Sequence, residues 1–405
     1  MVSTSRERVP EGGISAPRIL LVTHYYAGHG GGVEIVAGEL ARRLSGSLDM
    51  EWIAAGTPSE ARPATGDATV VRAHSLRAWN GLERRFGLPM PLPSPAGAVA
   101  VWRAARRADG VWVHDLIYPA NALAALAAVS ARKPLVVTVH VGAIPYRSRA
   151  QRWAMAGLVA ATNRLLLSKA SAVVFVSERV RSEFLERWRF RDHGVVPNGV
   201  DLEVFEPADP EARRAIRASL DADTGARMVL FVGRFVERKG LPLLRDLAAR
   251  MPSVTWWFAG NGPIRPDTWK LPNVRVERNR GGQSLAELYQ AADLLALPSL
   301  GEGFPLVVGE ALASGLPVLV DPSTVAGYPR ASEVIESEPV SGPDALDRWQ
   351  RHIEAMLDTA SKPDAARAAA RRAFAVTNWG WNDARDRYLA LWGELLEAAA
   401  RKRGS

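Results

Sequence analysis

The chain has 405 residues, of which 47% are hydrophobic and 23% charged, so it is long enough for two or three domains with sizeable cores. It contains no cysteine, which excludes disulfides, thiolate catalysis and cysteine-based metal sites and fits a cytoplasmic protein. No membrane span is predicted, because the longest apolar stretch, "WAMAGLVAATNRLLL" (153–167), is shorter than the ~18–20 residues required and carries Asn163 and Arg164.

Positive charge is concentrated in the first half of the chain. Up to residue 205 there are 25 Lys and Arg against 17 Asp and Glu, and the remainder has 26 of each, so the first half carries the whole net charge of +8. Such a surface attracts anionic membranes, nucleic acids or phosphorylated substrates. Residues 1–17 are polar and lack the apolar middle of a secretory signal, so we expect a disordered lead-in.

The first half of the sequence predicts an α/β domain. Apolar runs at 18–26, 110–115, 133–142 and 171–177 are typical of strands buried in a parallel sheet. The glycine loop "GHGGG" (28–32) and the helical pattern after it open a βαβ unit. The stretch "VVPNGVDLEVFEP" (195–207) contains two prolines and an Asn-Gly pair, which is typical of a domain boundary.

The same alternation restarts beyond that boundary. Strands are predicted within 227–235, 254–263 and 316–321, helices within 241–251 and 307–315, a helix leading into a short strand within 284–299, and a helical tail after about residue 344. Two successive βα blocks predict two doubly wound, Rossmann-like α/β domains with mostly parallel sheets. Ligands bind outside the carboxyl ends of such strands, so we expect a cleft where the two domains face each other.

Two loops of the second block carry candidate binding residues. In "GRFVERKG" (233–240), Arg234 and Lys239 are suited to bind a diphosphate. The same sequence is equally compatible with a solvated basic loop that binds no ligand. In "GEGFPLVVGE" (301–310), Pro305 is predicted at the first position of a helix, whose free N–H groups form an anion site. Glu302 precedes that helix and Glu310 lies inside it, so the two carboxylates need not share an environment.

Five stretches of the second half resemble retaining glycosyltransferases of family 4 (glycosyl transferases group 1). They are "VPNGVD", "GRFVERKG", "FAGNGP", "LAELYQAADLLALPS" and "EGFPLVVGEALASGLPV". The first half is similar more loosely, through "GGGVEIVAGELARRL", "VWVHD", "VVTVHVG" and "AVVFVS", and "NWGWNDARDRYLALWGELL" resembles the closing helix of the family.

The resemblance implies the GT-B fold, two Rossmann-like domains facing across a cleft. It divides the chain into an acceptor-binding domain at 18–203, a nucleotide-sugar-binding domain at 204–381, and a final helix at about 382–405 that returns to the first domain. It further implies transfer of a sugar from a UDP- or GDP-hexose with retention of configuration and without a metal ion. The donor is thus a substrate, and no cofactor is expected.

Site roles follow from the same resemblance. Arg234 and Lys239 would hold the donor diphosphate, Glu302 the sugar hydroxyls and Glu310 the ribose, while His140 would lie near the reacting sugar. The catalytic set would be Arg234, Lys239, Glu302 and His140. Further donor contacts would come from Gly31, Gly32, Gly233, Gly262, Gly303, Phe304, Pro305 and Leu306.

Other chemistry-bearing residues have simpler interpretations. We expect His114 to be a hydrogen-bonded core histidine, and His24 and His29 to be solvated loop residues. "DAD" (221–223) is interpreted as a turn and not as a metal motif. Two stretches depart from the family: "VRVERNRGGQSL" (274–285) leaves the nucleobase contacts open, and "TVAGYPRASEVIESEP" (324–339) leaves donor contacts from that loop open.

The acceptor is expected to be a saccharide or a lipid-linked molecule of the cell envelope, as in polysaccharide, lipopolysaccharide or glycolipid synthesis. Peripheral binding to the inner face of the plasma membrane is an open alternative, through the basic first half and the mixed Arg, Trp and apolar stretches at 77–93 and 146–171. The alternative functions are a nucleotide-sugar 2-epimerase and a natural-product glycosyltransferase. Nucleic-acid binding is not expected, because no aromatic stacking pattern accompanies the basic residues.

Overall fold

A computed structural model describes residues 16–61, 71–81, 90–142, 149–223, 225–328, 330–360 and 365–404. Its first half contains a seven-stranded parallel sheet with the strand order β3-β2-β1-β6-β7-β8-β9 and a small antiparallel pair, β4-β5. The strands are β1 Arg18–Tyr25, β2 Asp49–Ala55, β3 Arg72–Ser75, β4 Ala78–Trp79, β5 Leu92–Pro93, β6 Gly110–His114, β7 Leu135–Val139, β8 Ala172–Phe175 and β9 Asp192–Val195.

Helices cover both faces of this sheet. Among the described residues they are α1 Gly32–Leu44, α2 Pro95–Arg107, α3 Pro119–Ser130, α4 Arg149–Leu166 and α5 Glu178–Leu185. All residues of β6 and β7 are buried, which explains why these strands are apolar on both faces. Two helix starts are fixed by side chains: Ser94 accepts a hydrogen bond from the N–H of Gly97, and Ser177 accepts one from Val180.

The second half repeats the architecture with a six-stranded parallel sheet in the order β12-β11-β10-β13-β14-β15. Its strands are β10 Arg227–Val232, β11 Val254–Ala259, β12 Val274–Glu277, β13 Leu294–Leu297, β14 Val318–Val320 and β15 Glu336–Ser337. Its helices are α6 Pro210–Ser219, α7 Leu241–Arg250, α8 Gln283–Ala291, α9 Leu306–Ala313, α10 Pro322–Val325, α11 Ala345–Ala360 and α12 Ala365–Asn378. The prediction of two Rossmann-like α/β domains is confirmed.

The last helix, α13 (Trp381–Gly404), packs on the first sheet. The hydroxyl groups of Tyr388 and Thr138 are hydrogen-bonded at 2.8 Å, and Trp392 meets Trp112 edge-on with 6.4 Å between ring centroids. A Cβ on Gly110 would lie 2.4 Å from Trp392, so this position has room only for glycine. The predicted return of the C-terminal helix to the first domain is confirmed.

The chain passes between the domains twice, and the two passages touch. Val200 forms an isolated parallel bridge with Gly380, and its N–H donates to the carbonyl of Trp379. The exact boundaries at 203 and 381 stay predictions. None of the described helices is long and apolar enough to cross a membrane.

Candidate functional site

A cleft of about 970 Å³ lies between the two domains, at the carboxyl ends of β1, β7, β10 and β13. Its wall includes every residue to which the sequence assigned a catalytic or donor-binding role: Gly31, Gly32, His140, Gly233, Arg234, Lys239, Gly262, Glu302, Gly303, Phe304, Pro305, Leu306 and Glu310. The fold therefore brings these residues to one place. Their individual roles stay predictions.

Glu302 is a partly buried, ion-paired carboxylate on the loop after β13, with 11% of its side chain exposed. Its Oε1 lies 2.6 Å from Lys239 Nζ and 3.8 Å from an Arg238 nitrogen, and it accepts a hydrogen bond from the Ser299 hydroxyl. Burial alone would raise the pKa of Glu302, but Lys239 and Arg238 outweigh burial and hold the pKa below its ordinary value. Glu302 is therefore charged at neutral pH.

The basic loop is locked against the Glu302 loop. Gly240 has φ 79°, and a Cβ there would lie 2.3 Å from the carbonyl oxygen of Pro298. The N–H of Leu300 donates to the carbonyl of Arg238 at 3.0 Å. Because these contacts fix the backbone on both sides, Lys239 reaches Glu302 without a long mobile loop between them.

Arg234 differs from Lys239 in having no partner. It follows β10 directly and lines the cleft half-buried, and its guanidinium has no hydrogen bond or ion pair with any described residue. An uncompensated guanidinium in a cleft is suited to a bidentate anion such as a phosphate.

Helix α9 begins at Leu306, so the expectation that Pro305 is the first helical residue is wrong by one position. Pro305 is the residue before the helix, with φ −69° and ψ 116°, and its carbonyl accepts from the Tyr328 hydroxyl at 2.7 Å. The consequence for binding is unchanged, because Leu306 and Val307, the first two residues of α9, line the cleft, and N–H groups at a helix start lack partners within the helix.

Glu310, one and a quarter turns into α9, occupies an environment opposite to that of Glu302. It is partly buried, and its Oε2 accepts a hydrogen bond of 2.7 Å from the Tyr289 hydroxyl. No cation is paired with Glu310 within the part of the chain that the structure describes. Burial raises the pKa of Glu310 to about 7, despite the opposing effect of Tyr289.

The first domain faces these groups with its glycine loop. Gly31 precedes helix α1, and a Cβ on it would lie 2.2 Å from a carboxylate oxygen of Glu34. Glu34 is buried beneath the loop and paired with His24, with Nε2 and Oε1 separated by 2.9 Å. Burial opposes this charge, but His24 holds the pKa of Glu34 well below its ordinary range. His24 is thus a buried partner of Glu34, and the expectation that it is solvated is wrong.

His140 lies at the end of β7 against the Glu302 loop. A Cβ on Gly303 would lie 1.8 Å from the His140 carbonyl oxygen, so only glycine allows the two domains to approach this closely. The His140 Nε2 is 2.8 Å from Nδ1 of His114, which is buried and hydrogen-bonded as predicted. Burial lowers the pKa of His140 to about 3, so its ring is neutral at physiological pH.

Asp115 was not singled out in the sequence. Its φ is 61°, and Asn121 holds this turn by donating to the carbonyls of His114 and Asp115 at 2.6 and 2.9 Å. Asp115 Oδ1 accepts from the His140 N–H at 2.9 Å, and the Val141 N–H also stabilises the carboxylate form, whereas the buried Oδ2 has no hydrogen bond of good geometry among the described residues. Burial raises the pKa of Asp115 to about 7. Nothing in the sequence distinguishes Asp115, because an aspartate after a strand is common. Its positive φ is seen only in the structure.

The residues that the sequence analysis placed outside the donor site can also be located. Asp223 Oδ1 accepts from the Gly225 N–H at 2.9 Å, so the "DAD" stretch is a turn as predicted. No group of three or more His, Asp or Glu side chains able to hold a metal ion occurs among the described residues. His29 is exposed at the loop and stacks on Tyr25. Most of the lead-in and parts of the stretches at 77–93 and 146–171 lie outside the described residues.

Comparison with protein families identifies two consecutive matches. Residues 30–204 match the model described as Glycosyltransferase Family 4, and residues 226–357 match that of Glycosyl transferases group 1. Together they span both domains and every cleft residue named above. The chain belongs to the family-4 type of glycosyltransferases.

Curated relatives include D-inositol 3-phosphate glycosyltransferases. That of Mycobacterium avium is 34% identical over 224 residues, which is 52% of this chain and 51% of the relative. That of Mycobacterium tuberculosis strain H37Ra is 34% identical over 222 residues, which is 50% of this chain and 44% of the relative. This chain thus matches about half the length of these relatives.

Solved structures support the fold. Sucrose-phosphate synthase from Thermosynechococcus elongatus has a TM-score of 0.73 at 19% identity, with 94% of this chain and 100% of that chain covered. HepE of Anabaena, solved with UDP-glucose, has a TM-score of 0.71 at 19% identity, with 93% and 100% covered. At this identity the likeness concerns the fold alone, which is GT-B.

Proposed function

We propose that this protein is a retaining glycosyltransferase that moves a hexose from a nucleoside-diphosphate hexose, with UDP or GDP as the nucleotide, to an acceptor hydroxyl. The observation that carries the proposal is the arrangement in one cleft of Arg234, Lys239, the N-terminus of α9 and two partly buried glutamates whose pKa values are shifted in opposite directions. The cations and the helix end form an anion site. Beside this anion site lie the charged carboxylate of Glu302 and the protonatable carboxylate of Glu310. They are suited to hydrogen-bond hydroxyl groups at two different parts of one ligand.

The chemistry of transfer explains why such a site needs fixed positive charge. The bond between the anomeric carbon and the diphosphate oxygen breaks, and the carbon bonds to the acceptor oxygen on the same face of the sugar. The acceptor's hydroxyl proton passes to the leaving phosphate. Negative charge develops on the diphosphate, where Arg234, Lys239 and the α9 N–H groups would stabilise it without reorganising.

The glutamates serve recognition in this scheme. Glu302 and Glu310 belong to the same side of the cleft, on one loop and the helix that follows it. Glu302 would accept hydrogen bonds from the sugar, and Glu310 from the ribose. His140 would border the reacting sugar as a neutral group, which fits the low pKa that burial gives it. No step requires a metal ion or a cofactor.

The acceptor is the less constrained half of the proposal. The names of the curated relatives specify D-inositol 3-phosphate, and HepE was solved with UDP-glucose. For this chain we propose a UDP- or GDP-hexose donor and a saccharide or lipid-linked acceptor of the cell envelope, with the protein in the cytoplasm or peripheral at the inner face of the membrane.

Purified protein tests the proposal in two stages. Thermal-shift measurements with UDP, GDP, ADP and TDP identify the preferred base, and NMR of reactions with the matching nucleotide sugars reports transfer and anomeric configuration. Arg234→Ala should lower the rate constant by about 10²–10³-fold, because it removes a cation that acts on the leaving group. Arg245→Ala is the matched control, since Arg245 is exposed and pairs with Asp246 away from the cleft.

Three outcomes would contradict the proposal: no hydrolysis or transfer with any donor, an inverted product, or equal rates for the two arginine variants. A 2-epimerase is the main alternative and would isomerise or release the sugar without an acceptor. NMR of the donor incubated alone separates the two enzymes.

A further inference from the structure

A second cavity lies inside the first domain, separate from the cleft. Its volume is about 380 Å³, which falls in the range of about 300–1,000 Å³ that is typical of small-molecule sites. It lies between α4, the end of β7 and α5, and most of its wall is aliphatic or aromatic, including Val137, Val139, Val159, Phe184 and Trp188. We call this cavity the α4 chamber.

The wall of the α4 chamber also carries polar side chains, namely Asp115, Asn163, Glu183 and Arg187. Asp115 is only 5% exposed. As described above, its Oδ1 accepts from His140, and its Oδ2 has no hydrogen-bond partner among the described residues. A buried carboxyl oxygen without a partner is costly unless a ligand or water satisfies it. The chamber therefore combines a mostly apolar wall with one buried carboxyl oxygen that lacks a hydrogen-bond partner among the described residues.

The same aspartate connects the chamber to the donor cleft. Asp115 lines the chamber, while its hydrogen-bond partner His140 lines the cleft and abuts Gly303 of the donor loop. A molecule in the chamber that presents a hydroxyl to Asp115 thus lies one residue away from the predicted position of the reacting sugar. This continuity distinguishes the chamber from a packing void elsewhere in the domain.

We propose that the α4 chamber binds the apolar part, an alkyl or aryl group, of the acceptor alcohol, and that Asp115 Oδ2 accepts a hydrogen bond from an acceptor hydroxyl. The inference rests on the proposed glycosyl transfer, whose acceptor class it narrows. Fully polar polyols would leave the chamber's aliphatic wall unoccupied. An acceptor with a hydrocarbon or aromatic group beside its hydroxyl groups satisfies both the wall and the aspartate.

Binding of two matched probes tests the chamber without relying on catalysis. Calorimetry on the full chain compares methyl glucoside with n-octyl glucoside below its micelle concentration. Each methylene that enters the chamber should tighten binding about fourfold, so entry of three methylenes gives a preference of roughly sixty-fold for the octyl probe. Asp115→Asn should weaken octyl glucoside binding about tenfold, because it replaces the accepting Oδ2 with an amide donor.

Two tryptophan variants on α4 provide the matched comparison. Ala160 lines the chamber and Ala161, its exposed neighbour, does not. Ala160→Trp should lose at least tenfold in octyl glucoside affinity, whereas Ala161→Trp should bind as the wild type does. Binding of the preferred nucleotide serves as the folding control and should be equal in all variants.

The outcomes separate this inference from the proposed function. Equal affinities for methyl and octyl glucoside, or equal losses in the two tryptophan variants, overturn the chamber as an acceptor site even if sugar transfer is demonstrated. Conversely, octyl binding that depends on Ala160 together with absent transfer supports the chamber and contradicts the proposed reaction.

Discussion

Glu302 and Glu310 lie eight positions apart on one loop and helix, yet they occupy opposite electrostatic environments. Glu302 is surrounded by Lys239, Arg238 and Ser299, which keep it ionised. Glu310 has the Tyr289 hydroxyl as its hydrogen-bond partner, and burial raises its pKa to about 7. The partners come from other elements, so the identity and spacing of two carboxylates do not define their chemistry. The surrounding loops and helices define it.

The largest effect that tests this contrast is expected for Glu302→Gln. Removing one partner of this largely desolvated ion pair, whose side chains are 12% and 11% exposed, leaves Lys239 uncompensated, so the free energy of unfolding should fall by up to about 3 kcal/mol at pH 7. Urea unfolding of the variant and the wild type measures the difference. Because the folded-state pKa of Glu302 is lowered, its stabilisation is present above the unfolded value of 4.5 and is lost as the pH falls. The two proteins should therefore converge in acid; a constant difference down to pH 3 would refute the ion-pair interpretation.

Glu310→Gln should change the free energy of unfolding in the opposite direction to Glu302→Gln, with a gain at high pH and not a loss. Between pH 4.5 and about 7 the folded protein binds the Glu310 proton more tightly than the unfolded chain does, so wild-type stability falls as pH rises through this window. The neutral amide does not titrate in this range. The free energy of unfolding of the variant minus that of the wild type should therefore be about 3 kcal/mol larger at pH 8 than at pH 4. Urea unfolding of the variant and the wild type at both pH values measures this. If the two proteins differ in stability by the same amount at pH 4 and pH 8, the pKa of Glu310 is not raised and its carboxylate is charged at neutral pH. Under the proposed function the same variant should bind the nucleotide more weakly.

Across the cleft, Glu34 extends the comparison as a third carboxylate, paired in the manner of Glu302. Gly31→Ala would push a Cβ toward the Glu34 carboxylate and disturb its pair with His24, at a cost of about 2 kcal/mol. Gly32→Ala is the matched control, because nothing lies within 4 Å of a Cβ there. It should be neutral or gain about 0.5 kcal/mol, as alanine favours a helix more than glycine does. Thermal unfolding of the two variants measures the difference, and equal stabilities would exclude the steric argument.

The smallest effect concerns Tyr289→Phe, which removes the hydrogen-bond donor of Glu310. The loss should be about 1 kcal/mol, greater at pH 8, where the carboxylate form accepts the bond, than at pH 5. Chemical unfolding at the two pH values provides the test. A loss that does not depend on pH would mean that Tyr289 acts only by packing.

Much of the fold is predictable because its strands are buried on both faces and read as near-continuous apolar runs, as in "KPLVVTVHVG" (133–142). Strand β2, "DMEWIAA", was not predicted, because its acidic residues interrupt the run near the solvent-exposed end. Helices α2 and α3 were also missed; α3 is alanine-rich and lacks a strong apolar stripe, whereas α2 has a clear apolar face that the sequence analysis overlooked.

The site was predictable where single loops carry it and not where distant segments meet. Arg234, Lys239, Glu302 and Glu310 follow strand ends in motifs of specific spacing. The pairs His24–Glu34, His114–His140 and Tyr289–Glu310 form only in the folded chain, from residues of ordinary appearance. The wrong expectation for His24 has this origin, since its partner lies ten positions on and its burial depends on the packed domain.

The packing of α13 on the first sheet also bears on how the protein is made. The sheet that contains β1 is synthesised before the second domain, whereas Trp381, Tyr388 and Trp392, which cover one of its faces, follow the second domain in the chain. Domains synthesised early commonly fold before the rest of the chain emerges. Here the second domain is complete before the first can bury Trp112 fully, so a nascent chain arrested before residue 381 should expose that apolar face to chaperones.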